Sequence, residues 1–298
     1  MSTINESYLV GLIGSGITES LTPIMHEFAA DELNIRYLYR PLNIDSLGPQ
    51  HTRIRPKDCG ELLRQGLNLG YNAFNITHPC KQLIIEHLDE LSEDARRLNA
   101  VNTVVIRDGK TVGHNTDHSG FAAALASGLA PDGEDLHRVL QLGTGGAGSA
   151  TAYALLNSGV QTLFLCDLSI DRAEHCATNL QTLFPHQKVR VVPHHQLPAL
   201  VGTLNGIVNA TPLGMHHHPG SPLDLTLIRA HHWVADIIYL PQNTPLIVHA
   251  QNIGARTMSG GLMTVGQAVD AFELITGIRL SAQHLSEYFT QLTKASHN

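Results

Sequence analysis

A glycine-rich turn between an apolar strand and a helix constrains the fold of this chain more than any other feature. Val139–Leu142 reads as a strand, and Gly143-Thr144-Gly145-Gly146-Ala147-Gly148 opens a helical pattern that runs through Asn157. In a G-x-G-x-x-G turn the first glycine permits a tight turn, the second lets backbone approach a pyrophosphate, and the third lets helix and strand lie close. The turn therefore predicts a dinucleotide site, although a turn that serves packing alone is the alternative.

The acid that ends the next predicted strand bears on which dinucleotide binds. Asp167 ends the apolar run from Thr162, where a carboxylate would accept hydrogen bonds from the adenosine ribose. The same charge would repel a 2′-phosphate, so NAD is favoured and NADP is possible but disfavoured. Arg172 leaves an alternative open, because it could stack on the adenine or partly compensate a phosphate.

The alternation of strands and helices continues after this acid. A helix is predicted at 170–183, and strands are predicted at 189–192, 206–208 and 233–238. Such a βαβ series predicts a Rossmann-type, doubly wound parallel sheet with right-handed crossovers. A turn-rich linker, Ala130–Gly133, precedes the series, and helices at 261–276 and 281–293 follow it.

The part before the linker predicts a second α/β domain. Its predicted strands lie at 8–13, 36–40 and 73–76, and its predicted helices at 23–33, 56–69 and 82–98, the last with a break near Ser92. Two further strands, 101–107 and 111–114, flank Asp108-Gly109, a dipeptide typical of a two-residue hairpin turn. The whole chain is therefore predicted to be a two-domain α/β protein.

Three polar motifs in the first part point to chemistry on a small polyhydroxylated molecule. They are Asn75–Lys81, Asn99–Thr103 and Gly113–Asp117, which together supply amides, hydroxyls, one cation and one anion. Lys81 is one of only five lysines and follows a turn that contains proline. Asp117 has a plainer interpretation as the N-cap of a helix through Gly128.

Composition excludes several classes of function. The 298 residues are 43% hydrophobic and 15% charged, which describes a folded globular protein. A formal charge of −7 without a basic cluster argues against a nucleic-acid partner. The N-terminus lacks a secretion-signal pattern and no apolar run is long enough to span a membrane, so no membrane partner is expected. Four scattered cysteines favour a reducing, cytoplasmic location. A monomer and a homodimer both stay open.

Histidine is unusually frequent, with nineteen residues. The clusters at 216–218 and 231–232 raise the question of a metal site, because histidine-rich tracts bind metals. No carboxylate or H-E-x-x-H spacing accompanies them. No functional metal is predicted.

The motifs together resemble the shikimate dehydrogenases, most closely the NAD-dependent quinate/shikimate dehydrogenase subgroup. The resemblance covers nearly the whole chain. Besides the four motifs above, the segments that carry it are Ser20-Leu21-Thr22-Pro23, Asn209-Ala210-Thr211-Pro212 and Gly260–Ala268.

This resemblance implies an NAD-dependent oxidoreductase of shikimate, and of quinate as a second small-molecule substrate. It implies a substrate-binding catalytic domain at 1–116, closed by helices at 268–298, and an NAD-binding domain at 117–267. Lys81 and Asp117 would be the catalytic pair. The implied substrate residues are Ser20, Thr22, Asn75, Thr77, Asn102, Asn115, Tyr239 and Gln267. The cofactor residues are Gly143, Gly145, Gly146, Ala147, Gly148, Asp167, Arg172, Asn209, Thr211, Ile237 and Gly260.

Two departures from the NADP-linked biosynthetic members matter. Those members usually carry an Asn-Arg-Thr/Ser phosphate clamp where this chain has Cys166-Asp167-Leu168-Ser169. They also usually have a second serine where this chain has Thr22. The first departure favours NAD, and the second resembles enzymes that also accept quinate.

Several of the site residues also have plainer interpretations. Ser20 and Thr22 could cap a helix, and Asn75 and Thr77 could satisfy a loop backbone. Gln267 could be a buried hydrogen-bonding residue, and Tyr239 alone would be core or surface. At the level of the whole protein, the rivals are an NADP-linked shikimate dehydrogenase and a non-catalytic metabolite sensor. Retention of both Lys81 and Asp117 disfavours the sensor, and which of the two is formally the base stays open.

Overall fold

The computed structural model describes residues 7–48, 50–129 and 135–295. The predicted linker Ala130–Gly133 lies outside them. Two compact units divide the chain, one formed by the described residues of Met1–Thr116 and Gln267–Leu292, the other by those of Asp117–Gly266 and Thr293–Asn298.

The regular elements are as follows. The strands are β1 (Ser7–Gly14), β2 (Arg36–Asn43), β3 (Ala73–Ile76), β4 (Glu90–Leu91), β5 (Thr103–Arg107), β6 (Lys110–His114), β7 (Arg138–Leu142), β8 (Thr162–Cys166), β9 (Lys188–Val191), β10 (Gly206–Asn209), β11 (Trp233–Asp236) and β12 (Arg256–Met258). The helices are α1 (Thr22–Glu32), α2 (Cys59–Asn68), α3 (Cys80–Leu83), α4 (Glu93–Leu98), α5 (Asp117–Gly128), α6 (Gly146–Asn157), α7 (Ile170–Leu183), α8 (Leu197–Leu200), α9 (Pro245–Asn252), α10 (Gly260–Thr276) and α11 (Ala282–Ala295). Short 3-10 helices lie at Pro56–Asp58, Ile85–His87, His194–Gln196, Val201–Thr203 and Leu225–Leu227.

The first unit is built on a mixed six-stranded sheet in the order β2-β1-β3-β5-β6-β4. β1 pairs in parallel with β2 and β3, whereas β3, β5 and β6 pair antiparallel. Alternate residues enter different cores: Ala73 packs with Val10 and Tyr39, whereas Phe74 packs with Ile13 and other residues. Both sheet faces are therefore covered by apolar packing.

The predicted hairpin is confirmed. β5 and β6 pair antiparallel around Asp108-Gly109. Asp108 has φ 51° and Gly109 has φ 76°, the left-handed values that a type I′ turn requires at both positions.

The predicted helix over 82–98 is wrong in its middle. The chain there forms α3, a 3-10 helix, strand β4 and then α4. β4 pairs in parallel with β6, and Asp89 accepts hydrogen bonds from the backbone and hydroxyl of Thr111. Pairing with a strand distant in sequence therefore overrides the helical pattern. Ser92, at the predicted break, caps α4 by accepting from Ala95 N.

The second unit contains a fully parallel six-stranded sheet in the order β12-β11-β10-β7-β8-β9. This is the doubly wound order with the switch point between β7 and β10. Its core includes Leu140, Phe164, Ile207 and Val234. The predicted fold class, a two-domain α/β protein with a Rossmann-type sheet, is confirmed. Sequence patterns missed α9 and the three-residue edge strand β12.

None of the helices within the described ranges is long and apolar enough to cross a membrane.

Candidate active site

The glycine-rich turn connects β7 to α6, and its first and third glycines are required by the backbone. Gly143 has φ 93°, a conformation that side chains rarely adopt, and a Cβ there would lie 2.6 Å from Ala210 O. A Cβ on Gly148 would lie 2.4 Å from Gly143 O. A larger residue at Gly148 would thus push the helix away from the turn, and one at Gly143 would collide with the segment after β10.

The second glycine, Gly145, has a different environment. A Cβ built on it would meet no heavy atom within 4 Å. Gly145 is the N-cap of α6, where no side chain makes a capping hydrogen bond, and Gly146 and Ala147 follow half-exposed in the first turn. The N–H groups of this helix start are therefore available to an anion, and the open space lets one approach. The turn fits the pyrophosphate of a dinucleotide.

The side chain of Gln141 fixes the shape of this turn through hydrogen bonds. Its amide nitrogen donates to Gly143 O at 2.8 Å and to Gly148 O at 2.7 Å, and its amide oxygen accepts from Thr151 at 2.8 Å. The side chain is fully buried. Sequence reasoning missed Gln141, although a polar residue inside the apolar strand was a usable signal.

Asp167 lies directly after β8 and is almost surrounded by donors. Its carboxylate accepts from the backbone N–H and hydroxyl of Thr144 at 2.8 and 2.9 Å and from Ser169 N at 2.9 Å. Arg172 donates from Nη2 at 2.6 Å and from Nε at 3.3 Å. Burial raises the pKa of Asp167, but the bonds from Arg172, Ser169 and Thr144 outweigh it and bring the pKa to about 2. Asp167 is therefore an anion at any working pH.

Exposure differs sharply across this ion pair. The Asp167 side chain is 3% exposed and that of Arg172 is 56% exposed. Leu168, between Asp167 and Ser169, is 90% exposed and offers an apolar surface beside the carboxylate. Sequence reasoning named Asp167 and Arg172, but it did not name Leu168 as a site residue or foresee the hold of Thr144.

The segment after β10 is organised by Asn209. Its amide donates to Leu213 O and to Asp236 Oδ1, both at 3.1 Å, and its oxygen accepts from the backbone and hydroxyl of Thr211. Two donors and two lone pairs are then used. The side chain of Asn209 thus shapes the loop on which Thr211 lies.

Asp236 is a buried carboxyl group that sequence reasoning missed. It ends β11 and accepts from Asn209, Ile238 N and Thr244. Burial raises its pKa to about 6 against the opposite effect of these bonds. The residues that follow form a close backbone contact, since a Cβ on Gly260 would lie 2.1 Å from Ile237 O. Two predicted cofactor residues, Ile237 and Gly260, are therefore neighbours.

In the first unit, a buried polar network joins two predicted substrate residues. Asn75 Nδ2 donates to Thr103 Oγ1 at 2.9 Å and to Asn102 O at 3.3 Å. Thr103 Oγ1 donates to Asn102 Oδ1 at 3.1 Å. Asn102 Oδ1 also accepts from Thr116 N, and Asn102 Nδ2 donates to Thr116 Oγ1. The network thus extends from β3 to the residue before Asp117.

The candidate catalytic residues lie one in each unit. Lys81 is half-buried on α3, and its carbonyl accepts from Val101 N at 2.9 Å, which anchors it to the Asn99–Thr103 motif. Asp117 is buried at the start of α5, where its charge suits the helix dipole.

The other predicted substrate residues occupy several elements. Leu21 is the N-cap residue of α1 and makes no side-chain capping bond, whereas Ser20 Oγ accepts from Thr22 N at 3.4 Å. Thr77 follows β3 and Gln267 lies on α10, where its carbonyl accepts from Thr116. Buried Asn115 donates to Ala100 O, whereas Tyr239 lies after β11 in the second unit.

Comparison with known proteins identifies the family. A family model described as the shikimate dehydrogenase substrate binding domain matches residues 12–104. Shikimate dehydrogenase (NADP(+)) of Pseudarthrobacter chlorophenolicus is 52% identical over 295 residues, which cover 99% of this chain and 98% of that protein. Quinate/shikimate dehydrogenase (NAD(+)) of Corynebacterium glutamicum strain R is 42% identical over 290 residues, covering 97% and 100%. The chain belongs to the shikimate dehydrogenase family.

A solved structure agrees with this assignment. Quinate dehydrogenase from Corynebacterium glutamicum in complex with NAD superposes with a TM-score of 0.88 at 40% identity, over 96% of this chain and 99% of that one. This member of the shikimate dehydrogenase family is therefore an oxidoreductase that uses a pyridine nucleotide. Relatives named for NADP and for NAD both match nearly the full chain, so similarity alone does not select the cofactor.

The described histidines and cysteines form neither a metal cluster nor a disulfide. Within the described ranges, no group of three or more His, Cys, Asp or Glu side chains could hold a metal ion. All four cysteines are buried and unbridged, and Cys59 and Cys80 share a hydrogen bond.

Proposed function

We propose that this shikimate dehydrogenase family member interconverts shikimate and 3-dehydroshikimate with NAD, and also oxidises quinate to 3-dehydroquinate. The observation that carries the cofactor choice is the buried, ionised Asp167 at the end of β8. The proposal includes a cytosolic location for the protein.

The electrostatics of Asp167 favour a ribose with free hydroxyls. A carboxylate accepts hydrogen bonds from hydroxyl groups and repels a phosphate. Because its pKa is about 2, the charge persists throughout the assay range. Its low exposure limits screening by salt. Two hydrogen bonds from Thr144 also connect this carboxylate to the turn that would receive the pyrophosphate.

Arg172 supports the rival cofactor, NADP. A carboxylate offers about four lone-pair positions, and the donors from Thr144, Ser169 and Arg172 already compete for them. Ribose hydroxyls would have to share Asp167 with Arg172 or displace it. A guanidinium that is half exposed could instead receive a phosphate. The NADP-named relative at 52% identity favours that reading too.

The substrate residues suit a hydroxylated carboxylic acid. We assign the carboxylate end to Ser20 and Thr22, whose hydroxyls lie at the start of α1. Thr77, Asn102 and Gln267 would hold ring hydroxyls, with Asn75, Asn115 and Tyr239 as further candidates. Hydroxyl and amide groups can donate to the carboxylate and both donate to and accept from the ring hydroxyls.

Lys81 and Asp117 would handle the proton of the reacting hydroxyl. When bound, the nicotinamide ring supplies the hydride acceptor for the oxidation. Lys81 would carry the hydroxyl proton, and Asp117 would orient the hydroxyl and stabilise the protonated lysine. Neither of the two groups is singled out as the base.

The experiment is a set of initial rates with shikimate and quinate, each against NAD and NADP. The proposal expects turnover of both substrates with NAD. Quinate carries an extra hydroxyl, and leaving it unpaired would cost about 1–3 kcal/mol. Quinate rates more than about a thousandfold below those of shikimate would exceed that cost and reject dual specificity. No turnover of either substrate would reject the whole proposal.

A further inference from the structure

Tyr39 reaches across a strand of the first sheet to contact Asn75. Tyr39 stands on β2 opposite Val10 of β1, and Asn75 stands on β3 opposite Leu12 of β1. Strands two apart in a sheet are about 10 Å apart, and residues two apart along a strand share a face. The phenol therefore spans β1 diagonally, and its hydroxyl donates to Asn75 Oδ1 at 2.5 Å.

The direction of this hydrogen bond follows from its neighbours. Asn75 lies 3.3 Å from Asn102 O, a backbone carbonyl that can only accept, so the NH₂ group of Asn75 must face it. The amide oxygen then faces Tyr39, whose hydroxyl has to donate. Burial raises the pKa of Tyr39 well above its usual value, and the neighbouring Tyr37 raises this pKa further. The Tyr39 hydroxyl therefore keeps its proton.

The donors continue in the same direction along the network. Asn75 donates to Thr103, Thr103 donates to Asn102, and Asn102 Nδ2 donates to Thr116 Oγ1 at 3.0 Å. All five residues from Tyr39 to Thr116 are buried. Such chains polarise their members, and a group left unpaired in one is costly. Tyr39 is the first donor, and Thr116 immediately precedes Asp117.

We infer that Tyr39 is a positioning residue for substrate, which acts through Asn75 and Thr103 on the orientation of Asn102. The inference rests on the proposed function, where Asn75 and Asn102 contact substrate. Removing the phenol hydroxyl leaves Asn75 Oδ1 without its donor in a buried site. The amide then keeps its bonds to Asn102 O and Thr103 Oγ1 but loses the one that fixes its oxygen, so the orientation of Thr103 and Asn102 is less constrained.

Tyr39→Phe tests the inference, and Tyr37→Phe is its matched control. Tyr37 lies two residues away on β2, and its hydroxyl bonds to His26 Nδ1 at 3.0 Å, outside the Asn75 network. Tyr39→Phe is expected to raise KM for shikimate about tenfold, the effect of one unmet buried hydrogen bond. KM for NAD should stay unchanged. Tyr37→Phe should leave both KM values within about twofold, although it also removes a hydrogen bond.

A double variant separates positioning from general destabilisation. Because Tyr39 acts through Asn75, adding Tyr39→Phe to Asn75→Ala should not lower kcat/KM for shikimate further. Thr103→Val breaks the next link and should reproduce the rise in KM if Tyr39→Phe fails to fold. An unchanged KM in the folded Tyr39→Phe protein, an equal effect of Tyr37→Phe, or multiplying effects in the double variant would overturn the inference. A wild-type protein inactive on shikimate and quinate would instead reject the proposed function, and the inference with it.

Discussion

Thr144 holds Asp167 with two hydrogen bonds, one from its backbone N–H at 2.8 Å and one from its hydroxyl at 2.9 Å. Thr144 lies inside the glycine-rich turn, and Asp167 directly follows β8, the neighbouring strand of the sheet. The turn and the carboxylate thus form one connected structure. A dinucleotide that contacts both would find their spacing already fixed, which lowers the ordering cost of binding.

Asp167→Ala should weaken the binding of NAD and lower the ratio of kcat/KM for NAD to that for NADP. Hydrogen bonds to a charged group contribute about 1.5–3 kcal/mol, so kcat/KM for NAD should fall by roughly 10- to 100-fold. The measurement is kcat/KM for both cofactors at saturating shikimate. Asp171→Ala removes an equal charge from an exposed position on α7 and should leave the cofactor ratio unchanged. Equal ratios in the wild-type and Asp167→Ala proteins would remove Asp167 from the cofactor site.

Lys81→Ala should lower kcat by roughly 10²–10⁴, the usual contribution of a positioned acid–base group, while shikimate still binds. Steady-state kinetics and direct binding measure the two effects separately. Lys110→Ala is the control, since Lys110 is exposed on the hairpin and pairs with Glu90. Near-wild-type kcat in Lys81→Ala would contradict the assignment.

Thr22→Val should impair shikimate and quinate alike, because both carry the carboxylate that we assign to this hydroxyl. A rise in KM of about tenfold is expected for each, as for loss of one charge-assisted bond. Thr182→Val, on the exposed face of α7, should leave both KM values unchanged. A loss confined to one substrate would move Thr22 away from the carboxylate.

Asp236 should make stability depend on pH. Its pKa is about 6 in the folded protein and about 3.9 when unfolded, so the folded state binds the extra proton between these values. The protonated carboxyl group contributes about 3 kcal/mol to the free energy of unfolding. This contribution is fully present below pH 4 and is lost as the pH rises through 6. Asp236→Asn mimics the protonated group and does not titrate. The free energy of unfolding of Asp236→Asn minus that of the wild type should therefore rise with pH. Urea denaturation from pH 4 to 7 measures both values. Parallel profiles would mean that Asp236 does not titrate there.

Local rules predicted the fold where the interactions are local. Asp108-Gly109 encodes its own turn, and the spacing of Gly143 and Gly148 encodes a strand-to-helix connection. The failure at 82–98 has a different cause, since β4 exists only through pairing with β6. The edge strand β12 is too short to display a period and likewise depends on its partner, β11.

The candidate site residues could be named from sequence motifs, but the hydrogen bonds that hold them could not. Asp167 and Asn75 stand in recognisable motifs. The donors that orient them, Thr144 and Tyr39, lie 23 and 36 positions away and are brought close only by sheet formation. Gln141 was visible as a polar residue in an apolar strand, but its two carbonyl partners were not.

In the proposed enzyme, the ionised Asp167 selects NAD. The most direct measurement is the ratio of kcat/KM for NAD to that for NADP in the wild-type enzyme, with shikimate saturating. We expect a ratio of at least about ten, which corresponds to about 1.4 kcal/mol. A ratio of one or below would mean that Arg172 governs the site and that the enzyme is NADP-linked.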